Sequence, residues 1–308
     1  MNEQVRLLTE NIEKVIIGKR EVIVKLIAAL LCGGHVLIED VPGVGKTKLV
    51  TALSESVSGE CRRIQFTPDL MPSDITGFTM INRVTGENEY RSGAAMCNFL
   101  LADEINRASP KAQSALLEIM EELQVSVDGV TYPLPKPFMA MATQNPVETY
   151  GTYHLPEAQM DRFLMKLSVG YPTPEEETSI LGRKETKSVS IGAVLTLGDI
   201  LALREKAETV QVHESVKRYI VDLVNATRSS EFTALGASPR GSIGLFQAAR
   251  AAALIDGRDY AVPDDVKRFA VEVLAHRLIL SPKGKSVHGT AEKVMQAILS
   301  EVPIPSAS

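Results

Sequence analysis

"HVLIEDVPGVGKTKLV", residues 35–50, begins as an apolar strand, breaks into glycines and ends as a helix. Beyond the glycines Leu49, Val50, Leu53 and Val57 recur at helical spacing, which predicts one buried face and completes a strand–loop–helix unit. The strict phosphate-loop pattern G-x-x-x-x-G-K-[ST] fails at its first position, where Asp40 stands for glycine. The chemistry is nevertheless supplied. A phosphate cradle needs backbone N–H groups aimed inward at a helix start, a lysine for the outer phosphates and a hydroxyl for Mg²⁺. Gly43, Val44, Gly45, Lys46, Thr47 and Lys48 provide these. Asp40 costs little there, since aspartate accepts a left-handed conformation better than most residues where the turn demands one. Taken alone, the stretch also reads as a glycine turn before a helix.

Further along, "NFLLADE" (98–104) is an apolar strand ending in two acids. In that pattern Asp103 holds a metal and Glu104 serves as the base that polarises an attacking water. "FMAMATQNP" (138–146) is another buried strand, and Asn145 at its end presents an amide placed to orient that water. Strands separated by helical stretches predict a parallel sheet covered on both faces, an α/β fold. "SPKAQSALLEIMEEL" predicts a helix capped by Ser109 with Pro110 at its first position, and Asp128-Gly129 after it predicts a hairpin. A second β excursion is expected around residues 75–90. Past "KLSVGYPTP" the chain becomes almost entirely helical, which places a domain boundary near residue 172. In that second part "VPDDVKRFAVEVLAHRL" keeps Val266, Phe269, Val273 and Leu274 on one face, and "GASPRGSIGLF" puts Arg240 at a helix start. A cation there opposes the helix macrodipole, so Arg240 is expected to meet an anion.

Composition narrows the classes. The chain has 308 residues, 44% hydrophobic and 23% charged, with a formal charge of −5, which argues against a strongly basic nucleic-acid surface. Its three cysteines, Cys32, Cys61 and Cys97, match no metal or disulfide spacing, and five histidines show no paired ligand spacing. A reducing, cytoplasmic setting is expected. "MNEQVRLLTENIEKV" has no secretory pattern, and no apolar run reaches the length of a membrane span.

With these residues assembled, the chain resembles the MoxR family of AAA+ ATPases over nearly its whole length. The resemblance is carried by "VIIGKREVI", "LIEDVPGVGKT", "MPSDITG", "LLADEINRASPKAQSALLEIMEE", "ATQNP", "LPEAQMDRF" and "ASPRGSIGLFQAARAAALIDGRDY". It implies an AAA+ P-loop core over residues 1–171, with an insert around 66–92 and a hairpin around 124–136 facing a ring axis, and a C-terminal all-helical lid over 172–308. It implies ATP and Mg²⁺ as cofactors, with Lys46 and Thr47 as Walker A, Asp103 and Glu104 as Walker B, and Thr47 and Asp103 toward the metal. Asn145 matches sensor 1, Arg240 sensor 2 and Arg162 the arginine finger, which would act on the neighbouring subunit's nucleotide, while Ile17 and Gly18 match the segment lining the adenine. A hexameric ring, a protein client and a partner bearing a von Willebrand factor A domain follow from the same resemblance. "GAAMCN" (93–98) departs from the Gly-Pro-Ile-Phe that relatives often carry before the acidic strand. Two other readings stay open at this level: a DNA-directed motor of the same clade, and a nucleotide-gated scaffold that does not hydrolyse.

Overall fold

The computed structural model describes residues 1–41, 43–146, 152–185 and 191–305. The chain opens with helices α1 (Glu3–Glu13) and α2 (Arg20–Leu31) and enters the central sheet at β1 (Val36–Glu39). α3 (Lys46–Ser56) follows the glycines, and Leu49, Val50, Leu53 and Val57 are all fully buried, as their spacing predicts. β2 (Cys61–Gln65) leads to α4 (Pro72–Thr76) and the hairpin β3 (Gly77–Ile81) and β4 (Asn88–Ser92). β5 (Phe99–Asp103), α5 (Pro110–Glu122), the hairpin β6 (Gln124–Val127) and β7 (Val130–Pro133), then β8 (Met139–Gln144), α6 (Glu157–Met160) and β9 (Met165–Leu167) complete the first part. Five strands make one all-parallel sheet in the order β2-β5-β8-β1-β9. The central strands are apolar on both faces because both faces are covered.

α5 starts as the sequence dictates: the Ser109 hydroxyl accepts from the Ala112 N–H, and Pro110 fills the first turn. The β6–β7 turn runs through Asp128 and Gly129, both at positive φ, as a two-residue hairpin loop requires. The two hairpins touch through Tyr90 and Tyr132, whose rings stack with centroids 4.0 Å apart. The departing segment Gly93–Asn98 is internal packing. A side chain at Gly93 would strike the backbone of Ile75 and Gly77, Ala95 and Cys97 are buried, and the Asn98 amide links Glu60 to Pro137.

After β9 helices dominate: α7 (Pro174–Glu185), α8 (Leu197–Thr209), α9 (Glu214–Ser229), α10 (Pro239–Ile255), α11 (Pro263–Leu274), α12 (Pro282–Val287) and α13 (Ala291–Glu301). Val266, Phe269, Val273 and Leu274 of α11 are fully buried, which confirms that face. The region also holds two short strand pairs of two or three residues each, Gln211–Val212 with Tyr260–Ala261 and Thr233–Leu235 with Ile279–Leu280. They are too brief for a period-2 pattern to register. One hydrophobic cluster runs without a break from α1 and α2 through one face of the sheet into α8–α11, and a second lies between the other face and α5. The helical part is thus packed onto the α1–α2 side of the sheet. No helix among the described residues is long and apolar enough to cross a membrane.

Candidate functional site

The glycines of the opening stretch sit at the C-terminal edge of β1, where parallel strands of an open α/β sheet leave a crevice. Gly43 and Gly45 have φ of +89° and +93°, and a side chain at either would meet no atom within 4 Å. Their role is therefore conformational, and the space they face is open. Gly45 is also the N-cap of α3, with no side chain capping the helix, so the first-turn N–H groups are left for an anion. Lys46 Nζ donates to the Asp40 carbonyl at 2.9 Å, across the mouth of the loop. Thr47 and Lys48 are exposed on the first turn, while Val44 packs partly against the core. Pro42 lies outside the described residues.

Asp40 does not do what the sequence suggests. It has no left-handed backbone, and it is buried at 8% exposure with its carboxylate accepting from the backbone N–H groups of Val169 and Gly170 and from the Ser168 hydroxyl. A glycine in that place would lose this clasp between the loop and the segment leading to α7. Ile17, half-buried, and Gly18 lie between α1 and α2, where Gly18 and Lys19 meet the chain just past Gly170. Gly18 has φ +71°, a side chain there would collide with the Glu176 carboxyl, and neighbouring Lys19 donates to the Tyr171 carbonyl at 2.9 Å.

Asp103 and Glu104 stand at the end of β5, at the same C-terminal edge of the sheet as the loop and one strand removed from β1. Asp103 Oδ1 accepts from the Thr143 hydroxyl at 2.5 Å, and Oδ2 accepts from Arg63 Nη2 at 2.7 Å. The same Thr143 oxygen receives the Glu104 N–H at 2.8 Å. Glu104 takes a left-handed conformation, φ 56° and ψ 51°, which turns its carboxylate off the strand direction. There it accepts from Gln65 Nε2 and Arg107 Nη1, each at 2.8 Å. Asn145 is buried immediately after β8, whose Gln144 carbonyl accepts from the Asp40 N–H at 3.2 Å. Sequence reasoning missed Thr143, Gln65, Arg63 and Arg107. Thr143 carried a signal, being a hydroxyl inside a fully buried run, and buried hydroxyls need partners.

The two arginines stand elsewhere. Arg162 precedes β9, whose start is tied to β1 by the bond from Leu164 N–H to the His35 carbonyl at 2.8 Å. It is therefore at the N-terminal edge of the sheet. Arg240, at the start of α10, joins it there. Glu121, in the last turn of α5, gives one oxygen to Arg162 at 2.9 Å and the other to Arg240. From His35 to Asp40 the strand advances about 16 Å at the usual rise per residue. Neither arginine can reach this chain's own loop. The anion Arg240 meets within its chain is Glu121. A buried ion pair fixes this corner, with Arg277 Nε on Asp161 Oδ1 at 2.7 Å and Arg277 Nη2 on the Phe163 carbonyl at 2.7 Å. Ser238, the cap of α10, donates to the other oxygen of Asp161 at 2.8 Å. A cavity of about 360 Å³ opens beside Glu121, Arg162, Arg240 and Arg277.

Burial pushes the Cys32 and Cys97 thiols up to about 12, so neither is a nucleophile. Among the described residues no group of three His, Cys, Asp or Glu side chains forms a metal cluster. The loop and acids fit a nucleotide with Mg²⁺ on other grounds. They offer an open glycine cradle, an uncapped helix start, a lysine, and a hydroxyl and a carboxylate as hard oxygen donors.

A parallel sheet of this order, with a phosphate-type loop after β1, paired acids after β5 and a helical part packed behind it, defines a AAA-type ATPase domain with its lid. Comparison with known proteins agrees. Residues 35–165 match the ATPase family associated with various cellular activities (AAA), and residues 225–298 match the AAA lid domain. The chain is 50% identical to the Bacillus subtilis protein YeaC, itself uncharacterized, over 96% of this chain and 93% of that one. It is 44% identical to the chaperone MoxR1 of Mycobacterium tuberculosis, over 96% of this chain and 81% of that one. A crystal structure from Cytophaga hutchinsonii superposes with a TM-score of 0.91 at 38% identity, covering 98% of this chain and 95% of that one. The chain belongs to the MoxR family of AAA+ ATPases.

Proposed function

We propose that this protein hydrolyses ATP in a ring of identical subunits, with each active site shared between two copies, and uses the cycle to remodel a protein client. The observation that carries the reading is the separation of the two half-sites: loop and acids at one edge of the sheet, an arginine pair at the other. A second copy brings the halves together, and a hexameric ring does so at every interface. Within one site Lys46 and the first-turn N–H groups of α3 hold the phosphates, Thr47 and Asp103 would hold Mg²⁺, and Ile17 and Gly18 border the base. Bound Mg²⁺ supplies neutralisation of the phosphate charge. Glu104 takes the proton of the attacking water, which Asn145 orients. Gln65 and Arg107 both donate to its Oε2 and hold the carboxylate in place for that role. Arg162 and Arg240 of the neighbouring copy stabilise the charge that builds on the transferred group.

A protein client is favoured over nucleic acid by the insert hairpin. It exposes Phe78 and Ile81 along β3 and Val84 at its tip, the last at 93%, rather than a basic stripe. The chaperone name of the 44% identical relative points the same way. A partner with a von Willebrand factor A domain and a cytoplasmic setting complete the proposal. The experiment is steady-state ATP turnover by the assembled chain with Mg²⁺ and after thorough chelation. Activity that stops with the chelator and returns with Mg²⁺ is expected. Turnover unaffected by chelation, or none with Mg²⁺ present, would overturn the hydrolytic reading.

A further inference from the structure

Glu121 is oddly placed. It lies in the last turn of α5, where a helix end already carries partial negative charge, just as Arg240 lies at the positive start of α10. Each charge is unfavourable on its own helix, and each is satisfied by the other. Glu121 does more than pair with Arg240. It divides its two oxygens between an arginine of the sheet domain and an arginine of the lid, at 2.9 Å for Arg162. Without it two guanidinium groups would face each other across the cavity, with Arg277 a third positive charge nearby. The carboxylate of Asp161 is already taken by Arg277 and Ser238, so it is no substitute.

We propose that Glu121 is a positioning residue for catalysis in the neighbouring subunit: it holds Arg162 and Arg240 side by side as one anion-binding fork. This rests on the shared-site reading above. Glu121 touches no nucleotide in its own chain or the next. It acts by setting the spacing of two groups that do, and by joining the lid to the sheet domain at the point where the fork leaves the surface. Misplacement of catalytic groups by an ångström typically costs about 100-fold in rate. At 38% side-chain exposure Glu121 can be replaced without opening the core.

The test compares Glu121→Ala and Glu121→Gln in the full chain. Turnover should fall roughly 10- to 100-fold in the alanine variant. It should fall less in the glutamine variant, whose one carbonyl oxygen can still hold one arginine. ATP affinity at the variant's own loop should stay unchanged, because that loop is at the other edge of the sheet. Adding subunits of Lys46→Ala, which have an empty loop but an intact fork, should raise turnover per Glu121→Ala subunit severalfold. A merely structural defect in the variant would not be repaired from next door. Arg162→Ala mixed with Lys46→Ala runs in parallel. If that control recovers activity while Glu121→Ala does not, the positioning role is overturned and the shared site stands. Wild-type or faster turnover in Glu121→Ala, or a loss of ATP affinity matching the loss of turnover, overturns it too. If the control itself fails with co-assembly verified, the shared site fails and this role falls with it.

Discussion

At the C-terminal edge of β1 the chain is glycine, an exposed hydroxyl and a lysine bonded to a carbonyl; at the N-terminal edge three arginines share two carboxylates, Glu121 holding two of them and Asp161 the third. The first end is open, with Lys46 placed across its mouth. The second is closed and offers positive charge with no phosphate in reach. Their difference is what the proposed shared site predicts, one copy holding two unlike halves. An uncapped helix start is built to wait for a ligand, whereas the arginine end is held rigid by Arg277, only 7% exposed, and its pairing with Asp161. Removing one partner of such a buried pair commonly costs about 3–5 kcal/mol. Rigidity suits a group that must arrive in place at a neighbour's nucleotide.

Two substitutions at the open end should break its functions apart. Glu104→Gln keeps the shape and the bonds available to Gln65 but removes the base, so turnover should fall by about 10²–10⁴. Its ATP affinity should remain near that of the parent chain. Lys46→Ala removes the charge partner of the phosphates, and affinity should fall by at least about 30-fold. Nucleotide titration beside steady-state turnover checks both. Equal loss of affinity in the two variants would contradict the division of roles between loop and acids.

The closed end should show itself in a smaller, pH-dependent effect. His35 is buried between it and the sheet, where Nδ1 accepts from the Ala140 N–H at 3.0 Å, leaving Nε2 to donate to the Met120 carbonyl at 2.9 Å. Burial lowers its pKa to about 4. The unfolded chain therefore binds the proton first as pH falls, and the folded state is penalised. Stability from this group is full above about pH 6.5, declines as pH falls, and is lost by pH 4, a change of about 3 kcal/mol at most. Denaturant midpoints measured across that window should fall with pH, and His35→Gln should flatten the curve. Identical slopes in the two chains would show that His35 is not the titrating group.

How much of this the sequence disclosed depends on how local each feature is. The loop, the acid pair, the capped α5 and the Asp128-Gly129 hairpin are set by neighbours within a few residues, and composition and spacing sufficed for them. β2 was not legible because it is an edge strand, half exposed, carrying Arg62 and Arg63 where a buried strand would be apolar. The lid's strand pairs were too short to show a period. Asp40 was misread because its partners lie nearly 130 residues away, at Ser168 to Gly170. Arg240 was flagged by the helix dipole, and the same argument applied to Glu121 at the end of α5 would have found its partner. The resemblance already implied that Arg162 acts on a neighbour's nucleotide; what no spacing could give is that Arg240 shares its partner Glu121 at the edge of the sheet opposite their own loop.

Whether the two unlike ends form one site across a subunit boundary is tested most directly by mixing two inactive proteins. Arg162→Ala should bind ATP almost normally and hydrolyse it slowly, since such arginines are typically worth about 10³–10⁵ in rate. Lys46→Ala has an intact arginine pair and an empty loop. When the two exchange subunits, some interfaces unite the intact loop of one with the intact arginines of the other, and ATP turnover should return. If co-assembly is verified and the mixture stays inactive at every ratio, the arginine end does not complete the loop end of a neighbour, and the shared site is contradicted.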